Sequence, residues 1–400
     1  MIPVFRPTIR RADMDAVLTR LAEDSIGAGT LSREFSQGFA KYIGKRSGIS
    51  LRSHGHALLA AFSVLDIPAG SRVGVSALAP IAVIHMIRRA GLEAVVIDTG
   101  RQLPVLPSPL DFDYEQLSLA AIYVDTRLGY VPDLENMKRL GIPLVEDVSE
   151  GLGAHTGVAA VGSYGELTVA AMEPEHIITA GGGAVIVTNN TKRVSRLSGI
   201  VDERLGEPPL PDMNAALGIT QLKKIESYIE RRRELAERFV QITQRGKYRV
   251  PLQGGDGENV FFSLPVMIDG SPREVEKYAR GHGVAVQRAF SDVVLGGTSL
   301  YDSPENEGEG AREGADGAGG MSGAEVGTPD GETRTSGAEA VTPGTKVVTS
   351  GGEDGAAGNG GPEGYPNALS FMSQMVLFPL YPTLGKSEQE RIERVLATLP

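Results

Sequence analysis

The chain has 400 residues, 41% of them hydrophobic, which is ample for a buried core and points to two or three domains. It contains no cysteine, which excludes disulfides, thiolate nucleophiles and cysteine-held metals. The net charge of −11 is concentrated: residues 302–364 hold 13 acidic and 3 basic residues, so the remainder is nearly neutral and offers no basic stripe for nucleic acid.

The amino-terminal stretch MIPVFRPTIRRADMD lacks the apolar core of a signal peptide. The longest apolar run, 73–87, is broken by Ser76, Pro80 and His85 and is too short to span a bilayer. A cytoplasmic protein without membrane contact is expected, and the absence of cysteine fits a reducing compartment. Apolar runs at 72–78, 94–99, 119–125, 142–147 and 183–188 then read as buried strands. Helical patterns lie between several of them, including 80–90 and 133–140, as in a largely parallel sheet with helices on both faces.

Residues 213–244 read as one long helix, with Leu217, Leu222, Ile225, Ile229 and Leu235 near helical spacing. Its Arg231, Arg232 and Arg233 form the densest basic cluster of the chain, expected to be a solvated helix face. A strand (260–268), a helix (271–283) and a strand (284–290) follow, which suggests a second, smaller α/β domain. The segment 302–364 has 18 glycines and no aromatic residue, too little apolar surface to offset the entropy of ordering. The expected organisation is a large domain over 1–245, a small one from 246–301 and 365–400, and a disordered acidic, glycine-rich insertion over 302–364.

Several segments, in order, resemble one family. They are IPVFRP near the start, FSQGFAKYIG (35–44), AIYVDTRLGYVPDLENM (121–137), LVEDVSEGLGA (144–154), GSYGELTV (162–169), GGGAVIVTNN (181–190), the run 214–239 and LFPLYPTL (377–384). Together they resemble the DegT-type (DegT/DnrJ/StrS-like) sugar aminotransferases, pyridoxal-phosphate enzymes of fold type I. The resemblance implies that fold, a homodimer, a nucleotide-sugar or protein partner, and a place in sugar or surface-polysaccharide metabolism.

The site that the resemblance implies is altered at most positions. Such enzymes need a lysine amine to form an imine with the cofactor aldehyde, yet no Lys or Arg lies between Arg139 and Lys192. Counted back from the glycine-rich turn, the lysine position falls on Glu175, and the phosphate-contacting serine falls on Ala170. The Ser-Gly-Thr-Ala-Ala-Leu phosphate cradle appears as SHGHAL (53–58), with His54, Gly55 and His56 in its centre. Its backbone N–H groups would still suit an anion. The stacking aromatic falls on Pro80, and an expected asparagine falls near Glu207. Asp147 matches the aspartate that pairs with the pyridine nitrogen, and Glu150 stands where glutamine is common.

Three readings follow. The leading one is a non-catalytic homologue that binds a ligand or partner and has no cofactor. A second is a pyridoxal-phosphate enzyme of dehydratase or aminotransferase type in which His176, one residue beyond Glu175, replaces the lysine. The third is a remodelled site lined by His54, His56 and His176, with His85 and His155 farther off, for a ligand or metal. No metal is expected in the leading reading.

Overall fold

The computed structural model describes residues 1–206, 208–254, 257–293, 346–348 and 364–400. Its strands are β1 (Ser47–Leu51), β2 (Arg72–Ser76), β3 (Glu93–Ile97), β4 (Ala121–Asp125), β5 (Leu144–Asp147), β6 (Leu167–Ala171), β7 (Ala184–Thr188), β8 (Leu264–Met267), β9 (Gln287–Arg288), β10 (Lys346–Val348) and β11 (Met375–Phe378). Eight of them form one sheet in the order β1-β7-β6-β5-β4-β2-β3-β10, and β8-β11-β9 form a small antiparallel sheet. Within the large sheet every pairing is parallel except those of β7, which runs antiparallel to β1 and β6. This is the mixed α/β arrangement that the alternating strand and helix signals imply, and it agrees with the fold type I that the resemblance implies. The buried strands read as near-continuous apolar runs because helices cover both faces.

Two strands lack such a run. β1 (SGISL) is only half buried, and β6 (LTVAA) is built largely of small residues, so neither gives a strong β-branched signal. Both are fixed by pairing with β7, whose AVIVT core is fully buried.

The single helix expected over 213–244 is two helices, Asp212–Leu222 and Ile225–Arg245. The chain leaves helical geometry at Lys224, where φ is −117° and ψ is 4°. The break lets buried Gln221 donate to the Thr8 carbonyl at 2.7 Å and the Asp13 carboxylate at 3.0 Å. The second helix then bridges two hydrophobic cores. Ile225, Tyr228 and Ile229 pack into the core of the large sheet, and Leu235, Ala236, Phe239 and Val240 into that of the small one.

The same helix corrects the reading of its arginines. Arg232 is not solvated: it lies three residues after Ile229 and three before Leu235, on the buried face. Its Nη1 donates to the carbonyls of Phe261 (3.1 Å), Phe262 (2.8 Å) and Leu380 (2.8 Å). Burial, with no carboxylate to offset it, lowers its pKa to about 9.

Of segment 302–364, only 346–348 and Gly364 are among the described residues. The expectation of disorder over the rest lies outside them. Lys346–Val348 departs from that expectation by adding a parallel strand beside β3, which satisfies backbone groups along that edge. Among the described residues, no helix is long and apolar enough to cross a membrane.

Candidate functional site

In a largely parallel sheet, ligands lie beyond the carboxyl ends of the strands. There β4 ends at Asp125 and β5 at Asp147, directly paired in register, with their side chains on one face together with that of Tyr123. Helix His54–Ser63 begins above them, capped by Ser53, whose hydroxyl accepts the His56 N–H at 3.3 Å.

Asp147 is 3% exposed and surrounded by donors. His54 Nε2 lies 2.7 Å from its Oδ2, and the Tyr123 hydroxyl donates to the same oxygen at 2.9 Å. Oδ1 accepts the Ser149 N–H at 2.9 Å and the Ser149 hydroxyl. The Ser149 oxygen in turn accepts the Ala171 N–H at 2.8 Å, which ties β5 to the end of β6. Burial opposes charge on both members of the His54–Asp147 pair, but their mutual attraction and hydrogen bond prevail. His54 is raised above its ordinary pKa, and Asp147, helped by Ser149, is held well below the usual carboxylate range. Burial also keeps the Tyr123 hydroxyl protonated, so it stays a donor.

Asp125 has the opposite environment. It is 4% exposed, and neither carboxyl oxygen has a hydrogen-bond partner. Burial pushes its pKa up to about 7, against the attraction of Arg127 and with the repulsion of Asp147 and Glu150. Arg127 itself is bound to Glu150 at 2.9 Å, and Glu150 also accepts the Leu128 N–H at 2.5 Å. Sequence reasoning singled out neither Asp125, Tyr123 nor Arg127. The available signal was Tyr123 and Asp125 at alternate positions of an otherwise apolar strand end.

The glycine-rich turn sets which residue faces Asp147. The Met172 carbonyl accepts N–H groups from Ala180 (3.1 Å) and Gly182 (2.9 Å), and the Met172 N–H binds the Gly183 carbonyl at 2.9 Å. Gly183, at φ +94°, has no room for a Cβ, which would lie 2.5 Å from Leu210 and 2.7 Å from the Leu51 carbonyl. In this register Glu175 is exposed and His176 turns inward, near enough to His54 and Asp147 to feel both charges. His176, rather than Glu175, is the residue turned toward Asp147. Five residues before it is Ala171, which lacks a hydroxyl just as Ala170 does.

His176 Nδ1 accepts the Glu173 N–H at 3.0 Å. Burial first, and then the charge of His54, push its pKa down to about 4. It is therefore a neutral imidazole carrying its proton on Nε2. The nitrogen left for chemistry is a donor.

The other expected positions are dispersed. His85 and His155 are exposed, and Pro80 caps the helix Ile81–Arg89. Glu207 lies outside the described residues, while Asn214 donates to the Ala180 carbonyl at 2.7 Å and braces the glycine turn. Among the described residues, no three His, Cys, Asp or Glu are placed to hold a metal ion.

The match to known proteins is consistent along the chain. Residues 7–315 match the model of the DegT/DnrJ/EryC1/StrS aminotransferase family. The chain belongs to that family. A UDP-4-amino-4,6-dideoxy-N-acetyl-beta-L-altrosamine transaminase of Campylobacter jejuni is 26% identical over 275 residues, covering 62% of this chain and 71% of the relative. The aminotransferase TlmJ from Streptoalloteichus hindustanus superposes with a TM-score of 0.76 at 19% identity, covering 99% of this chain and 98% of that one. Helicobacter pylori PseC, an aminotransferase involved in the biosynthesis of pseudoaminic acid, gives 0.74 at 15% identity, covering 98% and 97%.

As arranged, the residues of this family member offer pyridoxal phosphate, the cofactor of such enzymes, a helix start but no open acceptor on Asp147. The helix start at Ser53 still offers N–H groups to a phosphate, and Gly55 has space beside it, since a Cβ would find nothing nearer than 3.7 Å. Asp147, however, has no acceptor position left for a pyridinium, because His54, Tyr123 and Ser149 fill its lone pairs. Of the four residues expected at a cofactor site, Asp147 and His54 are paired with each other, Gly55 lies at the helix start, and the His56 N–H binds the Ser53 hydroxyl. His54 is Asp147's partner in this arrangement.

Proposed function

We propose that this family member binds a nucleotide sugar or related ligand in the crevice above β4 and β5 without transferring an amine. One observation carries the reading: beside the position where the resemblance expects a lysine, the side chain turned toward Asp147 is His176, a neutral imidazole whose Nδ1 lone pair is already engaged by Glu173 N–H. An imidazole cannot become an imine, and Nε2–H cannot accept a proton. The nucleotide-sugar ligand class rests on the Campylobacter jejuni relative, which is named as a UDP-sugar transaminase. We also propose a homodimer. Met14, Leu18 and Leu21 form an exposed apolar stripe on the helix Arg11–Ala22, with exposed Ile9 and Ile26 beside it.

A second reading has its own support. His176 lies close enough to Asp147 and His54 to feel both charges, and the relatives are named as aminotransferases. A pyridoxal-phosphate enzyme with histidine in place of lysine is consistent with both. The two readings separate by calorimetric titration with UDP-N-acetylhexosamines, combined with amine-transfer and dehydration assays in added pyridoxal phosphate. Ligand binding with no turnover supports the first reading. Turnover abolished by His176→Ala establishes the second.

A further inference from the structure

A buried carboxylate is costly unless charge and hydrogen bonds compensate it. In a pyridoxal-phosphate enzyme the compensation comes from a planar aromatic cation that donates one N–H. Asp147 already has such a group: the His54 ring, with Nε2 at 2.7 Å. The resemblance aligns position 54 with a glycine, and a side chain there, at the start of helix His54–Ser63, reaches down to the end of β5. The remaining donors, Tyr123 and Ser149, complete the shell.

We propose that His54 is a built-in substitute for the cofactor ring, seated on Asp147 so that pyridoxal phosphate is barred from the crevice. The idea goes beyond loss of the lysine. A chain without that lysine can still hold the cofactor non-covalently, whereas a chain whose aspartate is occupied cannot pair with its ring nitrogen. The obstruction is one side chain at one position. It is separable from the missing amine, which belongs to position 176.

Four proteins test it: wild type, His54→Gly, His176→Lys and the double variant His54→Gly/His176→Lys. Each is titrated with pyridoxal phosphate, followed by absorbance and equilibrium dialysis, then reduced with borohydride and peptide-mapped. The expected result is no retained cofactor in wild type and at least a tenfold gain in affinity in His54→Gly. A reduced adduct on residue 176 is expected in the double variant and not in His176→Lys. Near-ultraviolet circular dichroism checks folding, and His54→Ser replaces His54→Gly if the latter unfolds. The proposal is overturned if wild type binds as tightly as His54→Gly. It is equally overturned if His176→Lys forms the adduct as readily as the double variant, or if removing His54 changes neither affinity nor adduct. Cofactor binding by a wild type that does not turn over defeats this proposal alone. Amine transfer by wild type defeats the proposed function as well.

Discussion

Asp125 and Asp147 are register partners on neighbouring parallel strands, one saturated with donors and the other with none. The contrast assigns their ionisation: Asp147 is a carboxylate, and Asp125 is a carboxylic acid in mildly acidic solution.

Asp125 therefore imposes a pH dependence on stability. Its pKa rises from 3.8 to about 7 on folding, so the native state binds the extra proton in that interval. Stability is greatest below the unfolded value and falls as pH rises through 7, by roughly 4 kcal/mol at most. Asp125→Asn removes this contribution. Urea denaturation at pH 5.5 and pH 8 is expected to show a clear decline for wild type and a much flatter profile for the variant.

The His54–Asp147 pair works in two directions. His54 is raised on folding, so its contribution is complete below its unfolded pKa and is lost as pH rises through the folded one. Asp147 is lowered, so its contribution holds above the unfolded value and is lost as pH falls toward the folded one. His54→Ala should cost about 3 kcal/mol at pH 6, because it leaves a buried carboxylate short of its cation. A variant as stable as wild type at that pH would show that the pair contributes little.

His176 should titrate apart from His54. Nitrogen NMR is expected to report a neutral ring protonated on Nε2 between pH 8 and 5, and protonation only near pH 4. An imidazolium signal at pH 6 would contradict the geometry at Glu173.

Arg232 joins the long helix to two carbonyls of the 261–262 turn and to Leu380. Arg232→Lys keeps the charge but loses the planar fork, so the fully buried ammonium is left with poorer partners. A loss of about 2–3 kcal/mol in chemical denaturation is expected. Arg231→Lys, at a partly exposed position paired with Glu234, should change stability by less than about 0.5 kcal/mol.

The proposed dimer is tested at Leu18, which is 59% exposed between Met14 and Leu21. Light scattering should give twice the chain mass for wild type and the single-chain mass for Leu18→Glu, with unchanged circular dichroism. Single-chain mass for both proteins would remove the stripe as an interface.

The strands β2, β3, β4, β5 and β7 were legible because each is a buried apolar run between helical patterns. β1 and β6 were not, since their identity depends on pairing with β7. The site was legible in composition but not in register. Whether Glu175 or His176 faces Asp147 is decided by how the loop folds onto the Met172 carbonyl, a contact between residues eight and ten positions apart. Whether His54 points to solvent or down onto a strand end depends on where helix His54–Ser63 sits above the sheet. Arg232 shows the same limit, because a run of three arginines does not reveal which one faces inward until the packing of its helix is known.

The filled donor shell of Asp147 has a consequence for how the chain lives in a cell. A protein that binds a ligand only when folded gains thermal resistance from that ligand, and so depends on its supply. Here the cation that steadies the carboxylate is encoded in the polypeptide itself. With pyridoxal phosphate barred as proposed, a thermal ramp should give the same midpoint for protein made in vitamin B6-starved and in replete cells.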